Sequence, residues 1–481
     1  MNSNKVFTNL IWRFFERVGA KLISVVVSLV LARLLAPELY GTVAIVILIT
    51  DILQVFVESG FGTALIQKKD ADELDFSSVF FFNIFICIIL YLALFFAAPL
   101  LARIYKNEQL ISLFRVSGLI LIISGVRNVQ QAYVSKNMLF KRFFFSTIGG
   151  TIIAAVVGIW MAYSGYGVWA YVAQYLINNF VGTVLLWLTV KWRPTLQFSM
   201  ERLKGLFSYG WKLLVSSLLN TISDKLRPLI IGIKYSSSDL AYYNEGIIFP
   251  NLIVENVNTS IDSVLLPALS EEQDSIVKVK LMTKKAIQVS SYIMWPLMIG
   301  LFACARPLVS CILTDKWLPC VFFIQVFCIY YALFPIHTAN LNAIKAMGRS
   351  DIFLKLEIIK KILDLAVVVV SLFIGVKAMA VGLLLEGIIN LFINSFPNRK
   401  LIDYSFVEQI KDIIPSFLMA LCMGILVYLI SLLNIPDILC LVIQVILGII
   451  IYILLSVIFK SEIFKFLLSI FKRIIGKKNE A

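Results

Sequence analysis

The stretch SSVFFFNIFICIILYLALFFAAPLLA, Ser77–Ala102, runs for 26 residues without a charged side chain. About 20 mostly apolar residues in a helix cross the hydrocarbon core of a bilayer, and this run is longer. It is continuously apolar, unlike the ten-residue alternation of a barrel strand, so it reads as a membrane-spanning helix. Working outward from it, apolar stretches between polar punctuation predict fourteen spans. They lie near 12–36, 39–62, 77–102, 109–134, 143–164, 167–190, 205–233, 239–266, 284–313, 318–345, 352–375, 378–398, 410–433 and 437–459. The longest connections, near 191–204 and 267–283, leave no room for a soluble domain.

The composition agrees. Of 481 residues, 60% are hydrophobic and 15% charged, with mean hydropathy +0.91, against about 45–50% and 25% in soluble domains. The excess has to face lipid, which excludes a soluble enzyme, a secreted domain and a disordered chain. The single histidine, His337, argues against His-based metal or triad chemistry. The seven cysteines fall in or beside apolar runs without a CxxC pair, and read as buried small hydrophobes. The first run carries Arg13, Glu16, Arg17 and Lys21 and lacks a small-residue cleavage site, so it is expected to remain as a span.

Basic residues set the expected orientation. With the N-terminus inside, alternate connections divide the Lys and Arg residues 28 inside to seven outside. That asymmetry predicts an N-in, C-in topology, and it accounts for most of the +14 net charge without nucleic acid. The tail Lys460–Lys478 reads as a basic amphipathic helix on the anionic inner leaflet.

Two halves can be overlaid. Glu38–Gly41 matches Asp239–Tyr242 at an offset of 201, and Val126–Phe143 echoes Ile336–Phe353. Six spans per copy give both copies the same orientation, related by an axis along the membrane normal. The expected fold class is therefore an all-α polytopic membrane protein with 14 transmembrane helices. Two six-helix lobes form a parallel pseudo-two-fold repeat, with two extra C-terminal helices. The expected divisions are 1–200, 201–404, 405–460 and a cytoplasmic tail, 461–481. This is the layout of a two-lobed carrier with a cavity between the lobes.

Charges inside hydrocarbon are costly and mark wet or paired interiors. In the first span Arg13, Arg17, Lys21, Ser24 and Ser28 fall within about 80° of one another on a helical wheel. Lys212, Ser216, Asn220, Ser223 and Arg227 repeat that spacing in the seventh at an offset of 199. Asn251, Glu255, Asn258 and Asp262 share a face of span eight, and Asp51 and Glu58 one of span two. These are the candidate site residues: Arg13, Arg17, Lys21, Lys212, Asn220, Arg227, Arg127 and Gln131 as basic and polar anchors. Asp51, Glu58, Glu255 and Asp262 are candidate acids for H⁺ or Na⁺. Two other readings stand beside this one: Arg13, Arg17 and Arg227 snorkel to the headgroups, or Asp224, Lys225 and Arg227 pair with the acids. Arg115, His337 and Asn340 are secondary candidates, and Glu357–Lys361 and Lys360–Asp364 read as structural i,i+4 pairs. Gly149, Gly150, Ala154, Ala155 and Gly158 read as close helix packing. No Walker A, HExxH or GxSxG motif occurs, so no enzyme is expected.

ARLLAPELYG (Ala32–Gly41), ESGFGTALIQKK (Glu58–Lys69) and ANLNAIKAMGRSD (Ala339–Asp351) resemble segments of Wzx-type polysaccharide flippases. These belong to the multidrug/oligosaccharidyl-lipid/polysaccharide exporter superfamily, here the colanic-acid and teichuronic-acid exporter-like branch. The resemblance implies a bacterial inner-membrane carrier, without a cofactor, that moves an undecaprenyl-diphosphate-linked oligosaccharide outward by alternating access. It implies service to surface polysaccharides such as lipopolysaccharide O-antigen, with polymerase and chain-length machinery as partners. It also implies that the last two spans help receive the lipid tail. The rival expectation is a cation-coupled multidrug exporter of the same superfamily; basic stripes favour the anionic lipid.

Overall fold

The computed structural model describes residues 3–58, 60–433 and 435–469. Helices form wherever the apolar runs are continuous and stop where polar caps take over the free backbone groups. The chain divides into two units, Met1–Ala241 and Tyr242–Ala481.

The first unit contains α1 (Ser3–Leu34), α2 (Pro37–Glu58), α3 (Phe61–Gln67), α4 (Glu73–Ile104), α5 (Gln109–Ser117), α6 (Leu119–Lys136), α7 (Phe140–Tyr163), α8 (Val168–Thr189) and α9 (Met200–Lys234). α10 (Ser237–Glu271) starts in it and continues into the second. The second unit adds α11 (Ile276–Ile312), α12 (Cys320–Ala332), α13 (Phe334–Ala346), α14 (Ser350–Leu372), α15 (Val376–Ser395), α16 (Asn398–Leu401), α17 (Phe406–Ile430) and α18 (Asp437–Ile458). Among the described residues every element is helical.

Among the described residues, ten helical segments are long and apolar enough to cross a membrane. The other long helices are α1, α9, α10 and α14, which carry most, though not all, of the intramembrane charges. Leu188, Phe96, Phe373 and Ile374 each keep over 70% of their surface exposed, a cost that lipid removes and water would not. This is a multi-pass membrane protein.

Local chemistry explains the element ends. α4 begins in a capping box in which Asp72 accepts from the Asp75 backbone N–H while Asp75 accepts from that of Asp72. That backbone donor holds the Asp72 carboxyl below its ordinary range. α17 begins in another, Ser405 with Glu408. Two runs read as single spans are broken in the structure. Gly118 divides α5 from α6, and Leu333 divides α12 from α13, where Pro335 supplies no backbone donor.

In the first unit α7 packs on both α8 and α1. The small-residue stripe of α7 makes this possible, as expected. A Cβ on Gly150 would lie 2.7 Å from the Asn178 carbonyl oxygen, and one on Gly158 2.7 Å from the Gln174 Cβ. α9 packs along α2, α3 and α4.

In the second unit α11 is the post on which α12, α13, α17 and α18 lean. The two terminal helices dock through ring contacts and hydrogen bonds: Trp295 meets Phe417 with ring centres 4.8 Å apart, and Tyr452 donates to the Tyr292 carbonyl at 2.9 Å. Five cysteines (Cys87, Cys304, Cys320, Cys328 and Cys440) are buried as expected, while Cys422 is exposed. Of the expected tail helix, 462–469 is helical, with Lys285 over the Phe466 ring at 4.2 Å; 470–478 lies outside the described residues.

Candidate functional site

α2 and α9 run antiparallel along one seam. Residues pair in order: Gly41 with Ser237 just beyond α9, Ile45 with Gly232, Asp51 with Lys225, Gly60 with Gly210, and Phe61 with Phe207. The ends are backbone contacts. A Cβ on Gly41 would stand 1.7 Å from the Ser237 carbonyl oxygen, so only glycine fits there. At the other end Gly60 has φ +105°, a region that favours glycine, and a Cβ on Gly210 would lie 3.0 Å from the Gly60 carbonyl carbon. Midway, Lys225 Nζ sits 2.9 Å from Asp51 Oδ2, with side chains 32% and 31% exposed.

Asp51, Gln54 and Glu58 follow one another on one face of α2, at spacings that return to the same side of a helix. That face meets α8, where the Gln54 amide donates to the Tyr175 hydroxyl at 3.0 Å. Tyr175 is linked through its carbonyl to the Asn179 amide, and Asn179 Oδ1 accepts from Arg127 Nη1 of α6 at 3.2 Å. Arg127 lies within electrostatic reach of Glu58 and Glu16. Its Nε is buried without a hydrogen-bond partner. Gln131, one turn along α6, is half-buried.

The expected α1 stripe divides. Arg13 turns to the interior, 2.6 Å from Glu16 Oε2 and over the rings of Phe140 and Phe143. Glu16 is buried and also accepts from Thr147 of α7 at 3.0 Å. Arg17 and Lys21 are exposed, as are Lys212 and Asn220 of α9, whereas Arg227 is buried. Arg227 is thus buried within the protein, and Arg13, with about a third of its side chain exposed, is tied to Glu16. Pairing of Lys225 with an acid, one of the two alternatives, is what Asp51 provides. α1 leans on α7 and α9 on α2–α4, so the stripes stand on helices with different neighbours.

In the second unit Asp262 and Asn258 of α10 reach α13. Asp262 Oδ1 accepts from the Asn342 amide at 2.9 Å, and Asn258 from the Thr338 hydroxyl at 2.7 Å. Glu255 is exposed. His337 lies 3.2 Å from the Asn394 amide. Asn340 belongs to a closed amide cluster: it exchanges hydrogen bonds with Gln409 at 2.8 and 2.9 Å and accepts from Asn398 at 2.7 Å. Glu357 pairs with Lys360 at 2.5 Å, one residue short of the expected Lys361.

Sequence reasoning missed Gln54, Tyr175 and Asn179, and noted Glu16 among the charges of the first run without placing it in the site. Gln54 was findable, since it completes the Asp51–Glu58 face. Asn178 and Asn179, adjacent in an apolar run, were also a signal.

The sequence profile described as "Polysaccharide biosynthesis protein" matches residues 30–322. The chain belongs to that family. Its relatives include the teichuronic acid biosynthesis protein TuaB of Bacillus subtilis, 26% identical over 63% of this chain. The succinoglycan biosynthesis transport protein ExoT of Rhizobium meliloti is 23% identical over 66% of it. The matches span 63% and 64% of those two relatives' own lengths. The lipopolysaccharide biosynthesis protein WzxC of Escherichia coli is 22% identical over 76% of this chain and 75% of its own. Among solved structures, the lipid II flippase MurJ in an inward closed conformation matches with TM-score 0.75 at 16% identity, over 95% of this chain and 100% of that one. An inward-facing multidrug MATE transporter matches at 0.60 and 16% identity, over 80% and 94%. The fold is of this type, and the relatives' printed names describe biosynthesis and transport.

Proposed function

We propose that this protein is a flippase that carries a diphosphate-linked oligosaccharide lipid across the bacterial inner membrane by alternating access. One observation carries the reading. On the helices of the amino-terminal unit, the buried or half-buried Arg13, Arg127, Lys225 and Arg227 and the exposed Arg17, Lys21 and Lys212 stand against four acids, Glu16 and Asp51 at least partly buried and Glu58 and Asp224 exposed. The excess is positive, which suits a diphosphate and opposes an organic cation. The names and fold of the relatives support the same substrate class.

The finer reading is a chain of fourteen crossings with both termini inside. The ten apolar segments are joined by α1, α9, α10 and α14, whose charges face protein or water. The repeat of two six-helix sets, divided near residue 200, belongs to the same proposal. So does coupling to H⁺ or Na⁺ through Asp51, Glu58, Glu255 and Asp262, and hand-over to polymerase and chain-length machinery. In this reading the protein performs no covalent chemistry.

Reconstitution in proteoliposomes tests the substrate class. A polyprenyl-diphosphate-linked glycan is expected to change leaflets faster than in protein-free vesicles. Movement of organic cations without movement of the glycan would establish the multidrug reading instead.

A further inference from the structure

The α2–α9 seam differs along its length in what can come apart. Its ends are closed by backbone contacts at Gly41–Ser237 and Gly60–Gly210, where no side chain stands to be displaced. Its centre is one ion pair, Lys225 with Asp51, about a third exposed on both sides. Lys225 is nine residues from Lys234 at the end of α9, and Asp51 fourteen from Pro37 at the start of α2. At 1.5 Å per residue the pair lies roughly 13–21 Å from those helix ends, deep in any bilayer the helices cross. Around Asp51 stand Tyr175 of α8 and, two turns along α2, Glu58, with Arg127 of α6 beyond it.

With the open third of each side chain facing water, as a substrate path requires, the ammonium–carboxylate pair is a weak tie. A diphosphate offers the same ammonium more negative charge and more acceptor oxygens. Asp51 is also fixed on the face that carries Gln54, so it stays beside Lys225 when a ligand arrives and competes to take it back.

Resting on the flippase reading, we infer that Asp51 is a built-in stand-in for the substrate's phosphate. It holds Lys225 in the empty protein, yields it to the lipid diphosphate, and reclaims it to drive release. Lys225 is thus the contact residue, and Asp51 a positioning residue whose removal tightens binding and slows turnover. A purely structural residue would not do both.

The test uses the full chain in nanodiscs, with farnesyl diphosphate as probe and farnesol as control, beside glycan flipping in proteoliposomes. Wild type is expected to bind the diphosphate and not the alcohol. Asp51→Asn and Asp51→Ala are expected to bind it about two- to fivefold tighter, with lower apparent KM and lower turnover. Asp51→Glu keeps wild-type values. Lys225→Gln loses about tenfold in affinity, and Lys225→Arg retains it. If wild type binds the diphosphate but the neutral Asp51 variants bind equally or more weakly, the stand-in role is overturned and the flippase reading survives. Loss of folded protein in both neutral variants would overturn it equally, by making the pair a structural tie. Failure of wild type to bind the diphosphate would take down both.

Discussion

Two of the polar centres in this apolar protein are built in opposite ways. The Asp51–Lys225 pair is ionic, joins two helices through one contact, and keeps about a third of each side chain open. The Asn340–Gln409–Asn398 cluster is neutral, ties α13 to α16 and α17 through four hydrogen bonds, and is 0–1% exposed. These buried amides spend their donors and all but one of their acceptors on one another and on nearby backbone, Asn398 Oδ1 alone lacking a partner; the main consequence is a fixed arrangement of helices. An open ion pair between helices whose backbones already touch at both ends adds little rigidity, and its charges remain available. Polarity inside a membrane therefore separates into structural and functional kinds by closure.

Substitutions can break or sharpen this contrast. The largest effect is expected from Gly41→Leu. The first carbon of any side chain there collides with the Ser237 carbonyl, and overpacking of this kind costs about 1–3 kcal/mol or more. Thermal unfolding in detergent should show a large loss of stability, and a wild-type midpoint would mean the seam is not closed at that end. Next comes Asn340→Ala. It strands the Gln409 amide in a buried site, while the Asn398 amide keeps its bond to the Asn340 backbone carbonyl, at about 1–3 kcal/mol, again read by thermal unfolding. Smallest in stability is Lys225→Gln, expected below about 1 kcal/mol because the pair is partly exposed. A loss as large as that of Asn340→Ala would erase the distinction between the two centres.

Much of the first unit was legible from sequence. The charge-free run at Ser77–Ala102 set the fold class, the glycine stripe of α7 predicted close helix packing without its partner, and Asp51 and Glu58 were placed on one face of α2 without the helix they meet. Pairing of Lys225 with an acid was among the alternatives. What the helical wheel cannot give is the neighbour. Arg13, Arg17 and Lys21 lie on one stripe, yet Arg13 is drawn to Glu16 and two phenylalanine rings of α7 while the others stay exposed. Gly60 and Gly210 lie 150 residues apart, and nothing local in either marks the other as its partner. Asn340 read as a secondary site candidate because its partners, Asn398 and Gln409, come from distant helices. Closure is a tertiary property, and it decided which polar residues are candidates.

The most direct measurement is the rate of lipid-diphosphate glycan flipping per folded molecule in proteoliposomes, compared for Lys225→Gln and Asn340→Ala. Lys225→Gln is expected to lose about tenfold with a near-native melting temperature, and whatever Asn340→Ala protein remains folded to keep a native rate. A native rate for Lys225→Gln, or a rate lost in folded Asn340→Ala, would contradict that expectation.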